Sequence, residues 1–369
     1  MKIAQIAPLV ESVPPRLYGG TERIVSYLTE ELVALGHDVT LFASGDSMTA
    51  AQLVPCVPQA LRLEASVRDP IPYYMLMLDR VRQRADEFDI LHFHIDQFHF
   101  PLFRQIAGRT VTTLHGRQDL PDLHPLYVGF DEMPLVSISD AQRLPIPNAN
   151  FAATVYHGLP AGLHSPTAPT QRNYIAFLGR ISPEKRPDRA IAIARALGIP
   201  LKIAAKVDRA DEVYFRTQIE PLLEGSGVEF IGEINEHEKT KFLGDAQALL
   251  FPVDWPEPFG LSMIEAMACG TPILAFRCGS VPEVIDDGLT GAIVDTMEQA
   301  ILALPLVIAL DRQKVRERFE QRFSARRMAN DYVGVYRTLL ASIESEGALK
   351  RATGSLDGTD EENARIRIA

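Results

Sequence analysis

Glu257 and Glu265 stand eight positions apart in the segment EPFGLSMIEAMACGTPI, Glu257 to Ile273. An ionised carboxylate can accept hydrogen bonds from two neighbouring hydroxyls at once, which suits it to sugars and riboses. Pro258 and Gly260 shape the loop between the two acids, and the second acid falls on a short helix rich in small residues. Glycine lets a backbone approach a ligand closely, so the amides of Phe259, Gly260 and Leu261 can meet an anionic or hydroxyl-rich group at a helix start. Strand-like runs lead in (Ala248–Pro252) and out (Pro272–Phe276), which makes a βαβ unit. Ligands of open α/β sheets sit at the carboxyl ends of such strands. The segment is therefore expected to bind something polar and extended.

A second group of residues suits phosphate. GRISPEKRP, from Gly179 to Pro187, follows the strand-like run Tyr174–Leu178 and puts Arg180 and Lys185 at its carboxyl end. A departing diphosphate gathers negative charge on its oxygens, and a guanidinium fork with an ammonium point charge in a water-poor cleft stabilises it. Pro187 reads as a helix start, whose first amides add to that field. Near the beginning, Tyr18-Gly19-Gly20-Thr21-Glu22 joins the first strand to the first helix, where glycines again admit an oxyanion. Neither the G-x-G-x-x-G fingerprint of dinucleotide enzymes nor a phosphate-binding Walker loop follows the first strand, which argues against a dehydrogenase or P-loop kinase. Lys206, after the run Leu201–Ala205, stands at the right sheet end for phosphate, although Asp208 beside it offers a plain surface ion pair.

The string from Glu257 to Ile273 resembles the Glu-x7-Glu signature of the retaining glycosyltransferases of family four, and the likeness runs over most of the chain. Those enzymes have the GT-B fold, two Rossmann-like domains facing across a cleft. The resemblance implies a hexosyl transfer from a nucleotide-diphospho-sugar to an acceptor hydroxyl, with no cofactor and no metal, because Arg and Lys take the place of a cation. It implies that Glu257 touches the donor sugar and Glu265 the ribose, and that Arg180 and Lys185 hold the diphosphate. The Gly19-Gly20 loop would face that diphosphate from the other domain. His115, directly after the run Thr110–Leu114, would reach the donor's sugar and phosphate. By the same likeness the base lies along Gly232, Glu233 and Ile234, where backbone contacts hide its identity. His157, in VYHGLP, departs from the Asn-Gly of many relatives. A nucleotide-sugar epimerase shares this architecture and would need no acceptor. A catalytically silent nucleotide-sugar sensor is a further alternative, though one that need not keep leaving-group chemistry.

The elements that must position these groups are readable as two series of β/α alternation. Lys2–Ala7, Asp38–Phe42, Ile90–Phe93, Thr110–Leu114, Leu135–Ser139 and Ala153–Tyr156 read as buried strands of a first domain, residues 1–160. Thr21–Leu35 between the first two carries Ile24, Val25, Leu28, Leu32 and Leu35 at helical spacing, closed by Gly36. Tyr174–Leu178, Leu201–Ala205, Val228–Ile231, Ala248–Phe251 and Ile273–Phe276 read as strands of a second domain, residues 161–325, with helices at Asp188–Leu197 and His237–Asp245 and a last strand at Gly291–Asp295. Leu159–Arg172, with three prolines, reads as the linker. Residues 326–345 form a helix expected to pack back across the domains, and 346–369 a polar tail with too little apolar content to stay ordered alone.

Composition bounds the alternatives. With 369 residues, 46% hydrophobic and 23% charged, the chain has length for two cores. No apolar run approaches the roughly 18 residues of a membrane span, and MKIAQIAPLV turns polar too soon for a signal peptide. Cys56, Cys269 and Cys278, an odd number without metal spacing, fit reduced thiols in the cytoplasm. A net charge of −11, −6 over residues 1–170 and −5 over the rest, disfavours nucleic acid. Arg80, Arg82 and Arg84 on the amphipathic segment Tyr73–Phe88 read as a solvated face, and peripheral membrane contact is not indicated. His92 and His94 in ILHFHIDQFHF share one strand face, His99 follows, and no second ligand cluster accompanies them. Ser139 suits a helix N-cap. The acceptor, whether saccharide, lipid-linked glycan or small metabolite, depends on loops such as Leu61–Tyr74 and Gly116–Asp131, which carry no interpretable motif.

Overall fold

Two parallel sheets, each with helices on its faces, account for the chain in a computed structural model. It describes residues 1–16, 19–166, 172–225 and 227–365, with side chains described as far as residue 345. Tyr18 of the glycine loop, part of the linker and the last four residues lie outside the described residues. The first sheet comprises β1 (Lys2–Ile6), β2 (Asp38–Ser44), β3 (Gln52–Val57), β4 (Ile90–Phe93), β5 (Thr110–Thr113), β6 (Leu135–Ser137) and β7 (Phe151–Thr154). Their spatial order is β3-β2-β1-β4-β5-β6-β7. The second sheet holds β8 (Ile175–Ile181), β9 (Leu201–Val207), β10 (Val228–Gly232), β11 (Leu249–Phe251), β12 (Ile273–Phe276) and β13 (Gly291–Val294), in the order β10-β9-β8-β11-β12-β13. Both orders reverse direction beside their first strand, at β1/β4 and at β8/β11. That switch point is where doubly wound sheets leave a crevice for ligands. This is the α/β GT-B architecture.

Helix α1 (Gly20–Ala34) buries Ile24, Val25, Leu28 and Leu32 against the first sheet, as the helical spacing requires. Helix α2 (Ile71–Gln83) starts and ends earlier than the segment Tyr73–Phe88, because Pro70 and Pro72 form its first turn and Ala85–Glu87 closes into a separate short turn. Three differences from the sequence reading matter. Strand β3 had no counterpart there: Pro55 interrupts its pattern, which an edge strand tolerates. Strand β7 sits at Phe151–Thr154, two residues before the expected run. Strand β8 extends through Ile181, so Gly179 and Arg180 belong to a strand and not to a loop, because Arg180 pairs with Lys206 and Ile181 with Val207 of β9.

The chain crosses between the domains twice, and the crossings touch. Leu159 N donates to Phe323 O at 2.9 Å and Ala325 N to Leu159 O at 2.8 Å, forming an isolated parallel bridge between Leu159 and Ser324. From there the helix Ala325–Arg365 returns along the first domain. Its Tyr332 and Tyr336 are fully buried, bonding to residues of β1, β4 and β5. No helix among the described residues is long and apolar enough to cross a membrane.

Candidate active site

A cavity of about 420 Å³ lies between the carboxyl edges of the two sheets. From the first domain it is lined by Gly19, Gly20, Glu22 and His115, and from the second by Arg180, Lys185, Lys206, Glu233, Ile234, Glu257, Phe259, Gly260, Leu261 and Glu265. Of the residues expected to meet the donor, Gly232 alone is not in the wall. It ends β10 one position earlier.

Glu257 sits in the loop between β11 and the helix Leu261–Ala268, and that loop is braced at several points. Asp254 accepts from Arg186 Nη1 at 2.8 Å and Arg189 Nη2 at 2.9 Å, and its amide donates to Glu184 O at 2.8 Å. Ser280 N donates to Glu257 O at 2.9 Å, and Ser280 Oγ to Phe259 O at 3.0 Å. The buried carboxylate of Glu257 accepts from Lys185 Nζ, and from Trp255 Nε1 at 2.8 Å on the same oxygen. Lys185 thus ties the turn after β8 to the acid of the loop after β11. Gly260 has a φ of +79°, and a Cβ there would meet Met263 and Phe251 at under 3 Å, so the turn into the helix requires glycine. The first N–H groups of this helix have no intrahelical acceptor and open on the cavity wall at Leu261 and Ser262.

Arg180 is surrounded by acids: Glu184 at 3.1 Å, Asp211 at 3.5 Å and Asp208 at 3.7 Å. Lys206 lies 2.8 Å from Asp208, so the surface ion pair foreseen for it is present although the residue also lines the cavity. These carboxylates offset the cost of holding two cations in a confined cleft.

Glu265, on the helix Leu261–Ala268, accepts from Lys239 Nζ at 2.8 Å. Behind it lies a cluster that sequence reasoning missed. Glu236 pairs with Arg23 of α1, across the cleft, and stands 2.9 Å from His164 Nε2 and 3.4 Å from Lys239 Nζ. Burial alone would raise the Glu236 carboxyl, but His164, Lys239 and Arg23 outweigh it and bring it down to about 2. His164, Glu236 and Glu265 offer ligand atoms within 4.8 Å of one another. Lys239 and Arg23 already supply cationic charge to that group, so the arrangement reads as an ion-pair network joining the domains. Only the capping box of Asn235 with Glu238, which starts the helix Glu236–Gly244 that carries Glu236 and Lys239, left a trace in the sequence.

His92, His94 and His99 divide as their strand positions dictate. His99 stacks on Phe93 at 3.7 Å and meets Thr112 Oγ1 at 3.0 Å, inside the core. His92 and His94 lie side by side, with ring centroids 4.1 Å apart, against the returning helix. His94 Nδ1 is 2.9 Å from His115 Nε2, and His115 stacks at 5.3 Å on His157, which also lines the cavity. Ser139 Oγ accepts from the amide of Gln142, as an N-cap does.

Burial pushes the Glu22 carboxyl up to about 6 against an ordinary 4.5, with Glu11 adding to the shift and Arg62 and Arg23 opposing it. A carboxyl raised in the fold binds its proton more tightly there than in the unfolded chain. Its contribution to stability is therefore greatest below pH 4.5 and falls as pH rises toward 6. Glu22→Gln should raise stability at pH 8 by roughly 1–2 kcal/mol and leave it unchanged at pH 4, read from urea unfolding at both values.

Comparisons with known proteins bear on the family and the fold. The model for glycosyl transferases group 1 matches residues 164–326, and that for glycosyltransferase family 4 matches residues 18–198. The N-acetyl-alpha-D-glucosaminyl L-malate synthase of Bacillus anthracis is 26% identical over 87% of this chain and 94% of its own length. The phosphatidyl-myo-inositol mannosyltransferase of Mycobacterium leprae is 25% identical over 93% and 98%. Among solved structures, AviGT4, a glycosyltransferase involved in avilamycin A biosynthesis, superposes with a TM-score of 0.70 at 24% identity over 92% of this chain and 98% of that one. Anabaena HepE in complex with UDP and glucose does so with 0.69 at 17% identity over 92% and 100%. With both halves matched in sequence and both sheets matched in space, the chain belongs to the family 4 glycosyltransferases of the GT-B fold.

Proposed function

We propose that the protein is a retaining, metal-independent glycosyltransferase that moves a sugar from a nucleotide-diphospho-sugar to an acceptor hydroxyl. The observation that carries this reading is one cavity in which Arg180 and Lys185, Glu257 and Glu265, and the glycine loop with His115 converge from two domains. Glu265 accepts the ribose hydroxyls, and the diphosphate lies between Arg180, Lys185 and the first-turn amides near Leu261. Glu257, held by Lys185 and Trp255, faces the sugar. The acceptor oxygen attacks the anomeric carbon on the face from which the diphosphate departs. A C–O bond forms, the bond to phosphate breaks with its electron pair on the leaving oxygen, and that oxygen takes the acceptor's proton. Lys185 and Arg180 stabilise the charge that develops there, in place of a divalent metal ion. The UDP held by HepE favours a uridine nucleotide for this chain as well. The free thiols of Cys56, Cys269 and Cys278 support a cytoplasmic setting.

Calorimetric titration of the metal-free protein with UDP, GDP, ADP and dTDP tests the donor site. One nucleotide should bind selectively, and Glu265→Ala should weaken it by about 1.5–3 kcal/mol, the worth of hydrogen bonds to a charged group. A folded protein that binds none of the four sinks the reading.

A further inference from the structure

One ammonium serves both acids of the network between the domains. Lys239 Nζ donates to Glu265 Oε1 at 2.8 Å, and Glu265 Oε2 has no hydrogen-bond partner among the described residues. An ionised carboxylate keeps acceptor capacity on both oxygens, so Lys239 decides how the one on Glu265 is turned. The same Nζ stands 3.4 Å from Glu236 Oε2, the oxygen that Arg23 Nη1 holds from the first domain. Two cations therefore share one oxygen of Glu236, while His164 Nε2 lies 2.9 Å from the other. Arg23, Lys239 and Glu265 all line the cavity. The four charged side chains are only 5% to 16% exposed, so each feels the others more strongly than it would on an open surface. Arg23 also belongs to the first turn of α1, where its amide donates to Gly19 O at 3.1 Å. A methyl added at Gly20 would stand 3.4 Å from Leu261, so the glycine loop closes on the start of the helix Leu261–Ala268. The pair with Glu236 fastens that end of α1 to the second domain at another point.

From this geometry we infer that Arg23 is a positioning residue for the nucleotide site: its ion pair with Glu236, relayed by Lys239, couples the hold of Glu265 on a ribose to closure of the glycine loop over the cleft. The inference rests on the donor site proposed above and goes beyond it, since Arg23 acts through Glu236 and needs no bond to the nucleotide. While Arg23 satisfies Glu236, the ammonium of Lys239 leans to Glu265 and fixes it. Without Arg23, a shielded Glu236 is short of positive charge and draws Lys239 away, which frees Glu265 to turn. The coupling runs both ways, because whatever closure adds to nucleotide affinity the nucleotide adds to closure.

The test is a double-mutant cycle on Arg23 and Glu236, read by calorimetry with whichever of UDP, GDP, ADP and dTDP the wild type selects. Arg23→Met and Glu236→Gln should each weaken that nucleotide about tenfold, within the usual range for coupling between sites. The double variant should lose no more than either single one, because the two side chains act as one pair. Losses that add would mean that Arg23 meets the nucleotide directly, and would overturn the inference. Arg23→Lys, which keeps a cation in this place, should recover most of the affinity that Arg23→Met loses. Small-angle X-ray scattering gives the second reading. At saturating nucleotide, Arg23→Met should have a larger radius of gyration than the wild type, and equal radii would overturn the coupling to closure. Unchanged affinity in both single variants, beside a wild type that binds normally, would overturn this inference alone. A folded wild type that binds none of the four overturns the donor site itself, and the coupling with it.

Discussion

Lys185→Ala is expected to lower kcat for donor turnover by roughly 10²–10³-fold, the loss measured when one preorganised donor to a developing oxyanion is removed. Two effects combine in that number. The ammonium no longer meets the charge on the departing diphosphate, and Glu257 loses its cationic partner and is left to Trp255 alone. A buried carboxylate that loses its cation is left uncompensated and swings away from its place. The two effects separate by substitution. Lys185→Arg retains a cation for Glu257 but not a point charge at the same place, so it should recover binding of the nucleoside diphosphate more fully than turnover. Release of nucleoside diphosphate under saturating donor, beside calorimetry of the same variants, provides both readings. Near-wild-type kcat in Lys185→Ala would remove the residue from the leaving-group site.

Gly279→Ala is the second large effect, and it acts through the backbone. Gly279 has a φ of +52°, and a Cβ built there falls well inside contact distance of both the amide nitrogen and the carbonyl oxygen of Glu257. Alanine at such a φ costs about 1–2 kcal/mol, and overpacking typically adds about 1–3 kcal/mol. The sum, about 2–5 kcal/mol of unfolding free energy, is a sizeable part of what a domain has. The fold can relieve the clash only by moving Glu257, so activity should fall even at temperatures where the variant is folded. Gly288→Ala supplies the control: its φ is +77°, yet no atom lies within 4 Å of the added methyl. Urea unfolding should show a smaller loss there, with turnover retained. Equal losses in the two variants would mean that backbone conformation, and not the close approach to Glu257, sets the cost.

The sequence carried the parts of this molecule that depend on local pattern. Glu257 and Glu265 with their flanking strands, the helix start at Pro187, and the period of α1 are all written in neighbouring residues. Two stacks of β/α units follow from the same alternation. What was not legible depends on residues far apart in the chain. Nothing near Gln5 announces that it will bond to Tyr336, 331 positions later. Arg23 and Glu236 look like ordinary helix charges until the two domains bring them together. Trp255 reads as a loop aromatic, and only the fold of the turn reveals an indole N–H on Glu257. Arg180 moved from loop to strand because its neighbour β9 continues to Val207, a fact about pairing partners and not about the residues around Arg180. His157 lacked a motif, and its stacking on His115 comes from the juxtaposition of two strand ends.

The returning helix has a consequence for how the protein is made. Thr113 waits for Tyr332, 219 positions downstream. At about 5–20 residues per second, a ribosome needs roughly ten to forty seconds to supply it. Throughout that interval the polar row on β1, β4 and β5 has no cover, while the whole second sheet emerges and closes on itself. The first half of the gene product is thus completed last, and the order of maturation runs opposite to the order of synthesis. A ribosome that stalls or a protease that nicks within the final helix leaves the second sheet intact and the histidine row of the first uncovered. Closure of the first domain therefore depends on residues synthesised after the whole second sheet.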